Sequence, residues 1–170
     1  IPNSQSHTIS LFSFSKAYGL AGWRMGYMVI PQEILLGVKK IQDTNLICPA
    51  IASQYAALAC LKVGKTYSQG FLPEMAHCRQ ELLSQLGKMP DHCRLVVPKG
   101  AFYCFLQVNS SLSDLELVKT LITEFNVGVL PGSTFGVTDG CYLRIAYGAL
   151  RKETAQVAIE RLVKGLKALA

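Results

Sequence analysis

The segment SFSKAYGLAGWRMGY, residues 13–27, places one lysine and one arginine, Lys16 and Arg24, between two short apolar stretches. The stretches at residues 9–14 and 23–30 are predicted to form strands, the first of them buried. A lysine that begins a loop usually lies at the protein surface. The apolar neighbours and the glycine-rich turn around Lys16 favour partly desolvated surroundings instead. A lysine in such surroundings loses its proton more readily and can attack a carbonyl group to form a Schiff base.

The same segment carries groups that bind phosphate. Arg24 offers a planar guanidinium that can hold an anion through two hydrogen bonds, and the hydroxyls of Ser13 and Ser15 are neutral donors. Three glycines between residues 19 and 26 allow the backbone to pass close to a ligand. Their spacing is not that of the nucleotide-binding pattern GxxxxGK(S/T), so binding of a nucleotide by that route is excluded. A carbonyl-reactive lysine beside a phosphate cradle is what pyridoxal phosphate requires.

Composition and charge argue against two classes of protein, nucleic-acid-binding proteins and membrane proteins. The chain has 170 residues, half of them apolar, which is typical of a globular protein with a sizeable core. Its net charge of +6 comes from lysines and arginines that form no basic run, which argues against nucleic-acid binding. No apolar run approaches the roughly 18 residues that span a bilayer, which argues against a membrane protein.

The cysteines and histidines form no recognisable site. The six cysteines are far apart and include no CxxC pair, so zinc is not expected, and we predict buried, reduced thiols in a cytoplasmic protein. The three histidines, His7, His77 and His92, share no motif with a serine or an aspartate. We therefore expect neither a hydrolase triad nor a bound metal.

The pattern along the chain predicts alternating helices and strands. Helices are predicted over residues 31–44, over 49–62 (apolar almost all round and so buried), and through Met75 to Met89 after breaks at Gly64 and Gly70. In the second half, strands are predicted at residues 94–97, 101–108, 127–130 and 141–146. A capping box at residues 113–116 opens one helix, and a last helix presents an apolar face from residue 155 to 169. This mixture indicates an α/β protein with a boundary near residues 64–72.

The opening segment also carries a resemblance. It is similar to the cofactor-lysine signature S-x-S-K-x(7)-R-x-G of the class I/II aminotransferases, in the fold-type I pyridoxal-phosphate family. Three later stretches resemble further segments of that family in the same order, namely PKGAFY (98–103), PGSTFG (131–136) and LRIAY (143–147). The resemblance covers essentially the whole chain and implies an aminotransferase that exchanges an amino group between an amino acid and a 2-oxo acid.

The resemblance also implies roles for individual residues. Lys16 would form the Schiff base with pyridoxal 5′-phosphate and move a proton at the substrate's α-carbon. Arg24, Ser13 and Ser15 would hold the cofactor's phosphate. Arg144 would bind the substrate's α-carboxylate, although an arginine on a strand can equally be a structural ion-pair partner. No metal is implied.

The same resemblance shapes the expected domain organisation. Members of the family are longer than this chain, which begins with Ile1 and not with methionine. We expect residues 1–68 to be the C-terminal part of the cofactor-binding large domain and residues 69–170 to be the small α/β domain. We also expect a homodimer when the protein is full length, and no activity from these residues alone.

Two other functions share the same sequence features. A lyase of the same fold, such as a carbon–sulfur β-lyase, would use the same lysine. A non-enzymatic, aminotransferase-like effector domain of a transcription regulator would retain the fold without the reaction.

Overall fold

The computed structural model describes residues 2–148 and 150–169, and the chain divides into two compact units, Ile1–Phe71 and Leu72–Ala170. The first unit contains strands β1 (Ser10–Ser13) and β2 (Gly26–Val29), followed by helices α1 (Leu35–Asn45), α2 (Ile51–Val63) and α3 (Lys65–Gln69). The second unit contains α4 (Leu72–Gly87), β3 (Cys93–Leu95), β4 (Tyr103–Val108), α5 (Asp114–Phe125), β5 (Leu130–Pro131), β6 (Cys141–Ala146) and α6 (Lys152–Leu169).

The first unit is built around an antiparallel pair, β1 and β2, in which Ser13 lies opposite Gly26. Both strands were predicted, but each is shorter than its predicted range. Trp23 lies in a short 3-10 turn and not in a strand. The prediction that β1 is buried is wrong, because Leu11 is 73% and Phe12 is 47% exposed. The described residues of this unit place no second layer over the pair, so its apolar side chains remain at the surface.

The helices of the first unit follow their predicted positions but not their predicted burial. A 3-10 turn, Gln32–Ile34, leads into α1 where the helix over 31–44 was expected. The prediction that α2 is buried is wrong, since Ser53 and Ala57 are its buried residues and Tyr55 is 68% exposed. The short helix α3 was not predicted, although it lies between the two expected breaks at glycine.

The second unit is an antiparallel sheet in the order β3-β4-β6-β5. One sheet face packs against helices α4, α5 and α6 in a single hydrophobic core, and this face consists of the alternate residues of β4 and β6 that are buried, namely Cys104, Leu106, Val108, Cys141, Leu143 and Ile145. The prediction of β6 is confirmed and those of β3 and β4 are close. The strand predicted at 127–130 is wrong except for Leu130, because residues 127–129 pair with no neighbouring strand.

Local sequence signals fix the ends and faces of the helices in this unit. The Ser113 hydroxyl accepts a hydrogen bond from the Glu116 amide at 3.3 Å, and the Glu116 carboxylate accepts one from the Ser113 amide at 3.1 Å. This confirms the predicted capping box, which satisfies two amides at the start of α5. The predicted apolar face of α6 is also confirmed, with buried side chains that include Ile159 and Leu166.

The six cysteines, all among the described residues, are free thiols. Four of them are buried in the second unit, at positions 78, 93, 104 and 141, whereas Cys48 is exposed and Cys60 is half-buried. The prediction of buried thiols is therefore wrong for Cys48 and Cys60, which lie on the poorly covered first unit. Burial raises the pKa of the Cys104 and Cys141 thiols to about 11, with a smaller contribution from the Asp114 carboxylate at Cys141. No helix in the described ranges is long and apolar enough to cross a membrane.

Candidate active site

Lys16 lies in a tight turn that follows β1. The Phe14 carbonyl oxygen accepts hydrogen bonds from the amides of Tyr18 and Leu20, both at 3.3 Å, and the Phe14 side chain is buried. Gly19 has a φ of +67°, a backbone conformation that favours glycine, and this allows the chain to turn back toward β2. The turn thus holds the backbone of Lys16 in place while its side chain is exposed. The expected partial desolvation of Lys16 is not seen, because its side chain is exposed in the described part of the chain.

Arg24 ends the same connection on the side of β2. It follows the 3-10 turn Ala21–Trp23 and has a left-handed backbone, with φ 53° and ψ 47°. Its Nη1 donates to the Ala21 carbonyl at 2.7 Å, which uses one of several N–H donors of the guanidinium. The side chain is exposed. An arginine in a left-handed conformation costs about 1–2 kcal/mol, so this residue occupies its position at the expense of local stability.

Ser13 and Ser15 are in direct contact. The Ser15 amide donates to the Ser13 hydroxyl oxygen at 3.1 Å. Since the Ser13 oxygen acts as an acceptor in this contact, its own proton remains available for donation to an anion. Ser15 is half-buried and Ser13 is exposed at the end of β1. The pair therefore offers a hydroxyl donor beside the turn that carries Lys16.

The contact between β1 and β2 requires glycine at position 26, the last residue of the sequence signature. A Cβ atom at this position would lie 2.7 Å from the carbonyl oxygen of Phe12 on the neighbouring strand. Real Cβ atoms do not approach a backbone oxygen so closely, and a backbone atom cannot move aside as a side chain can. A residue other than glycine would separate β1 from β2 beside the residues just described.

Replacing Gly26 with alanine is expected to destabilise this unit by about 1–3 kcal/mol, the usual cost of overpacking. Thermal unfolding of the variant would measure the loss. Gly22→Ala is the matched control, because an added Cβ there meets nothing within 4 Å. An equal change in both variants would contradict a role for the strand contact.

One contribution to this turn could not be foreseen from the sequence. The Ser53 hydroxyl, on α2, donates to the Trp23 carbonyl at 3.0 Å, immediately before Arg24. Ser53 is buried, and a small hydroxyl side chain in a mostly apolar helix does not by itself indicate which group it binds. The contact fixes the turn from the side of α2.

Arg144 lies on the face of the second unit's sheet that the helices leave open. It is on β6, opposite Phe105 on β4. The carbon at the centre of its guanidinium lies 5.0 Å from the ring centroid of Tyr103 and 4.7 Å from that of Phe135. Both rings attract the cation through their faces.

The Nε atom of Arg144 is buried and has no hydrogen-bond partner among the described residues. A buried donor without a partner is costly, and in a native protein such an atom calls for an explanation, for example a bound water, an ion or a catalytic role. An anion with two oxygens would pair with Nε and a neighbouring nitrogen of the guanidinium.

The predicted site residues fall into two groups. Ser13, at the end of β1, and Ser15, Lys16 and Arg24, in the connection to β2, belong to the first unit, whereas Arg144 belongs to the second unit. The first group supplies an amine, hydroxyl donors and a guanidinium, which suits a phosphorylated carbonyl compound. Arg144 supplies a cation with an unsatisfied donor, which suits a carboxylate.

The chain is similar to known proteins over most of its length. The sequence model of the family described as aminotransferase class I and II matches residues 3–162. The chain is 33% identical to aromatic-amino-acid aminotransferase 2 of Thermococcus litoralis and 32% identical to the aspartate aminotransferase of Pyrococcus abyssi, in each case over 94% of this chain and 41% of the relative. The crystal structure of an aromatic aminotransferase from Pyrococcus horikoshii OT3 matches 99% of this chain and 45% of its own, with a TM-score of 0.86 and 31% identity.

Proposed function

Because the chain belongs to the class I and II aminotransferase family, we propose that the protein carrying it exchanges an amino group between an amino acid and a 2-oxo acid. The observation that carries this proposal is the turn that follows β1, which presents the Lys16 amine and leads to the Arg24 guanidinium. Two of the relatives described above, an aromatic-amino-acid aminotransferase and an aspartate aminotransferase, support this reaction class.

The chain spans about two fifths of the length of the curated relatives it matches. We therefore propose the activity for the whole protein and not for these residues alone. Within it, residues 1–68 would be the C-terminal part of the cofactor-binding large domain and residues 69–170 the small domain. The division of the chain after Phe71 supports this arrangement.

The cofactor of this family is pyridoxal phosphate, and the residues of the first unit suit it. When bound, the cofactor's aldehyde and pyridine ring supply an electron sink for the bonds at the amino acid's α-carbon. Lys16 would hold the aldehyde carbon covalently and carry a proton to and from the α-carbon, as amines of this kind do in general acid–base catalysis. Its exposed side chain on a fixed backbone allows both tasks.

Arg24, Ser13 and Ser15 would hold the phosphate. The guanidinium retains donors beyond its contact with Ala21, and the Ser13 hydroxyl retains its proton. Charge-assisted hydrogen bonds of this type are shorter and stronger than neutral ones. The phosphate would thus be fixed at both ends of the turn that carries Lys16.

Arg144 would bind the α-carboxylate of the amino acid. Its buried Nε lacks a partner among the described residues, and a carboxylate oxygen would supply one. The rings of Tyr103 and Phe135 limit where the guanidinium can turn. The carboxylate would therefore be oriented as well as attracted.

The surface and the thiols of the chain support two further proposals. Leu36 and Ile47 are each 72% exposed, and side chains of this kind are normally covered by protein. We propose that the rest of the protein and a second subunit cover them, in a homodimer.

The free thiols suit a reducing compartment, and we propose the cytoplasm.

The test of this function is a product analysis on the whole protein loaded with pyridoxal phosphate. Incubation with single amino acids and 2-oxoglutarate should yield the matching 2-oxo acid and glutamate in equal amounts. Pyruvate and ammonia without amino transfer would contradict the proposal and point to a lyase. Residues 1–170 alone should give no transfer.

Replacing Arg24 with alanine should weaken retention of the cofactor far more than replacing it with lysine. Alanine removes the charge and all the hydrogen bonds, whereas lysine keeps the charge and loses only the planar geometry. Dissociation of the cofactor, followed by its visible absorption, would measure the difference, with Arg151→Ala on the second unit as the control. Equal retention in the wild-type protein and in Arg24→Ala would exclude a phosphate role.

A further inference from the structure

A carboxylate outside the predicted site holds the loop that reaches Arg144. Asp114 is the first residue of α5, and its Oδ2 accepts a hydrogen bond from the Ser133 amide at 2.6 Å. Its Oδ1 accepts a second from the Ser133 hydroxyl at 3.1 Å. Both oxygens of one side chain thus bind one residue of the 3-10 turn Gly132–Phe135.

The other side of this turn is pressed against the sheet. A Cβ atom at Gly132 would lie 2.5 Å from the Cβ of Tyr142 and 3.1 Å from the Tyr142 carbonyl oxygen, so only glycine fits there. The turn closes with a hydrogen bond from the Gly136 amide to the Ser133 carbonyl at 3.0 Å. The turn is therefore held between Asp114 and the sheet.

Phe135 depends on this turn for its position. Its side chain is 45% exposed, so burial in a core does not fix it. Its ring nevertheless lies 4.7 Å from the Arg144 guanidinium carbon and meets the Phe105 ring edge-on, with centroids 6.3 Å apart. Whatever fixes the turn fixes the ring that covers the guanidinium.

We propose that Asp114 is a positioning residue for Arg144. By binding Ser133 through both carboxylate oxygens, it fixes the turn Gly132–Phe135 and so keeps the Phe135 ring over the guanidinium. The guanidinium is then held between Phe135 and Tyr103 with its Nε–H shielded from water. This inference concerns the geometry of Arg144, and its value for the reaction rests on the proposed function.

The test follows the Nε–Hε signal of Arg144 by NMR in the whole protein, labelled with ¹⁵N-arginine in a deuterated background. Arg144→Lys, which lacks the signal, assigns it. In the wild-type protein the signal should be shifted upfield by the two rings and should exchange slowly with water. In Asp114→Ala the part of the shift that Phe135 causes should be lost, and exchange should accelerate by about tenfold or more, because both hydrogen bonds that hold the turn are removed.

Three further variants separate positioning from general stability. Glu116→Ala is the matched control, since it breaks the capping box of the same helix without touching Ser133. Asp114→Asn should retain the wild-type signal, because an amide can accept from the Ser133 amide and donate to its hydroxyl. Phe135→Leu changes an exposed side chain, so it should fold, and it should reproduce the loss of shift seen in Asp114→Ala.

An Arg144 signal that is unchanged in Asp114→Ala or in Phe135→Leu would overturn the proposal. So would an equal change in Glu116→Ala, or a loss in Asp114→Asn as large as in Asp114→Ala. A separate measurement addresses the proposed function: the KM for amino acids should rise about tenfold in Asp114→Ala, while kcat changes little. If the signal responds to Asp114 but this KM does not, Asp114 still positions Arg144, and carboxylate binding by Arg144 is the claim that fails.

Discussion

Replacing Lys16 with alanine is expected to abolish amino transfer in the protein that carries this chain, while the fold and part of the cofactor binding remain. The variant loses the amine that holds the cofactor and moves the proton at the α-carbon. Proton transfer by a positioned side chain contributes about 10²–10⁴-fold by itself, so a loss of about 10⁴-fold or more is expected when both roles disappear. Single-turnover kinetics with an excess of enzyme would measure it.

The assignment of Lys16 can be tested without kinetics. Reduction of the loaded protein with borohydride, followed by peptide mapping, should place the cofactor on Lys16. Lys39→Ala, at an exposed lysine of α1 in the same unit, is the control and should retain both the label and the activity. A label on any lysine other than Lys16 would refute the assignment.

Replacing Arg144 with alanine is expected to lower kcat/KM for amino acids by at least about tenfold, because each charge-assisted hydrogen bond contributes about 1.5–3 kcal/mol. Amines of the same side chain lack the carboxylate, and their slow reaction should be almost unchanged. The comparison of each amino acid with its amine, in wild type and variant, isolates the carboxylate.

Two variants sharpen this experiment. Arg94→Ala removes another arginine of the same sheet, on β3, and should leave the ratio of amino acid to amine unchanged. Arg144→Lys should fall between wild type and alanine, since lysine keeps the charge but cannot bind a carboxylate bidentately or stack as well between two rings. If amino acids and amines lose activity alike in Arg144→Ala, the residue is structural.

The elements of the second unit could be predicted well because their signals are local. The capping box at Ser113 and the apolar face of α6 each depend on residues of one helix only. β6 alternates buried and outward-facing residues along six positions. The strand expected at residues 127–130 failed at its first three positions because a run of apolar residues does not specify which strand, if any, pairs with it. Val127 and Val129 are indeed buried, but no strand pairs with them.

The burial of the first unit could not be predicted in the same way. An apolar pattern indicates which side chains avoid water, whereas burial also requires a layer that covers them. β1 and α2 are rich in apolar residues, as buried elements are. In the described chain no layer covers them, so most of these residues are exposed. The same reason explains why Lys16 is exposed and not partly desolvated.

Some of the residues around Arg144 could be identified from the sequence, and others could not. The arginine and the PGSTFG segment could be recognised from their order in the sequence. Asp114 was visible only as part of a helix start, because its contact with Ser133 joins positions 19 residues apart. Tyr103 approaches Arg144 through the register of β4 and β6, and no local pattern specifies that pairing.

Exposed and buried cysteines in this chain would react with a thiol reagent at different times. In residues 1–170 alone Cys48 is exposed, so a thiol-alkylating reagent should label it at once, and this labelling marks the time of first contact with the reagent. Cys104 and Cys141 are shielded within the core of the second unit, and their raised pKa keeps them in the unreactive protonated form at neutral pH. Mass spectrometry of the modified peptides over time would therefore reveal when that core opens, with no probe added to the chain.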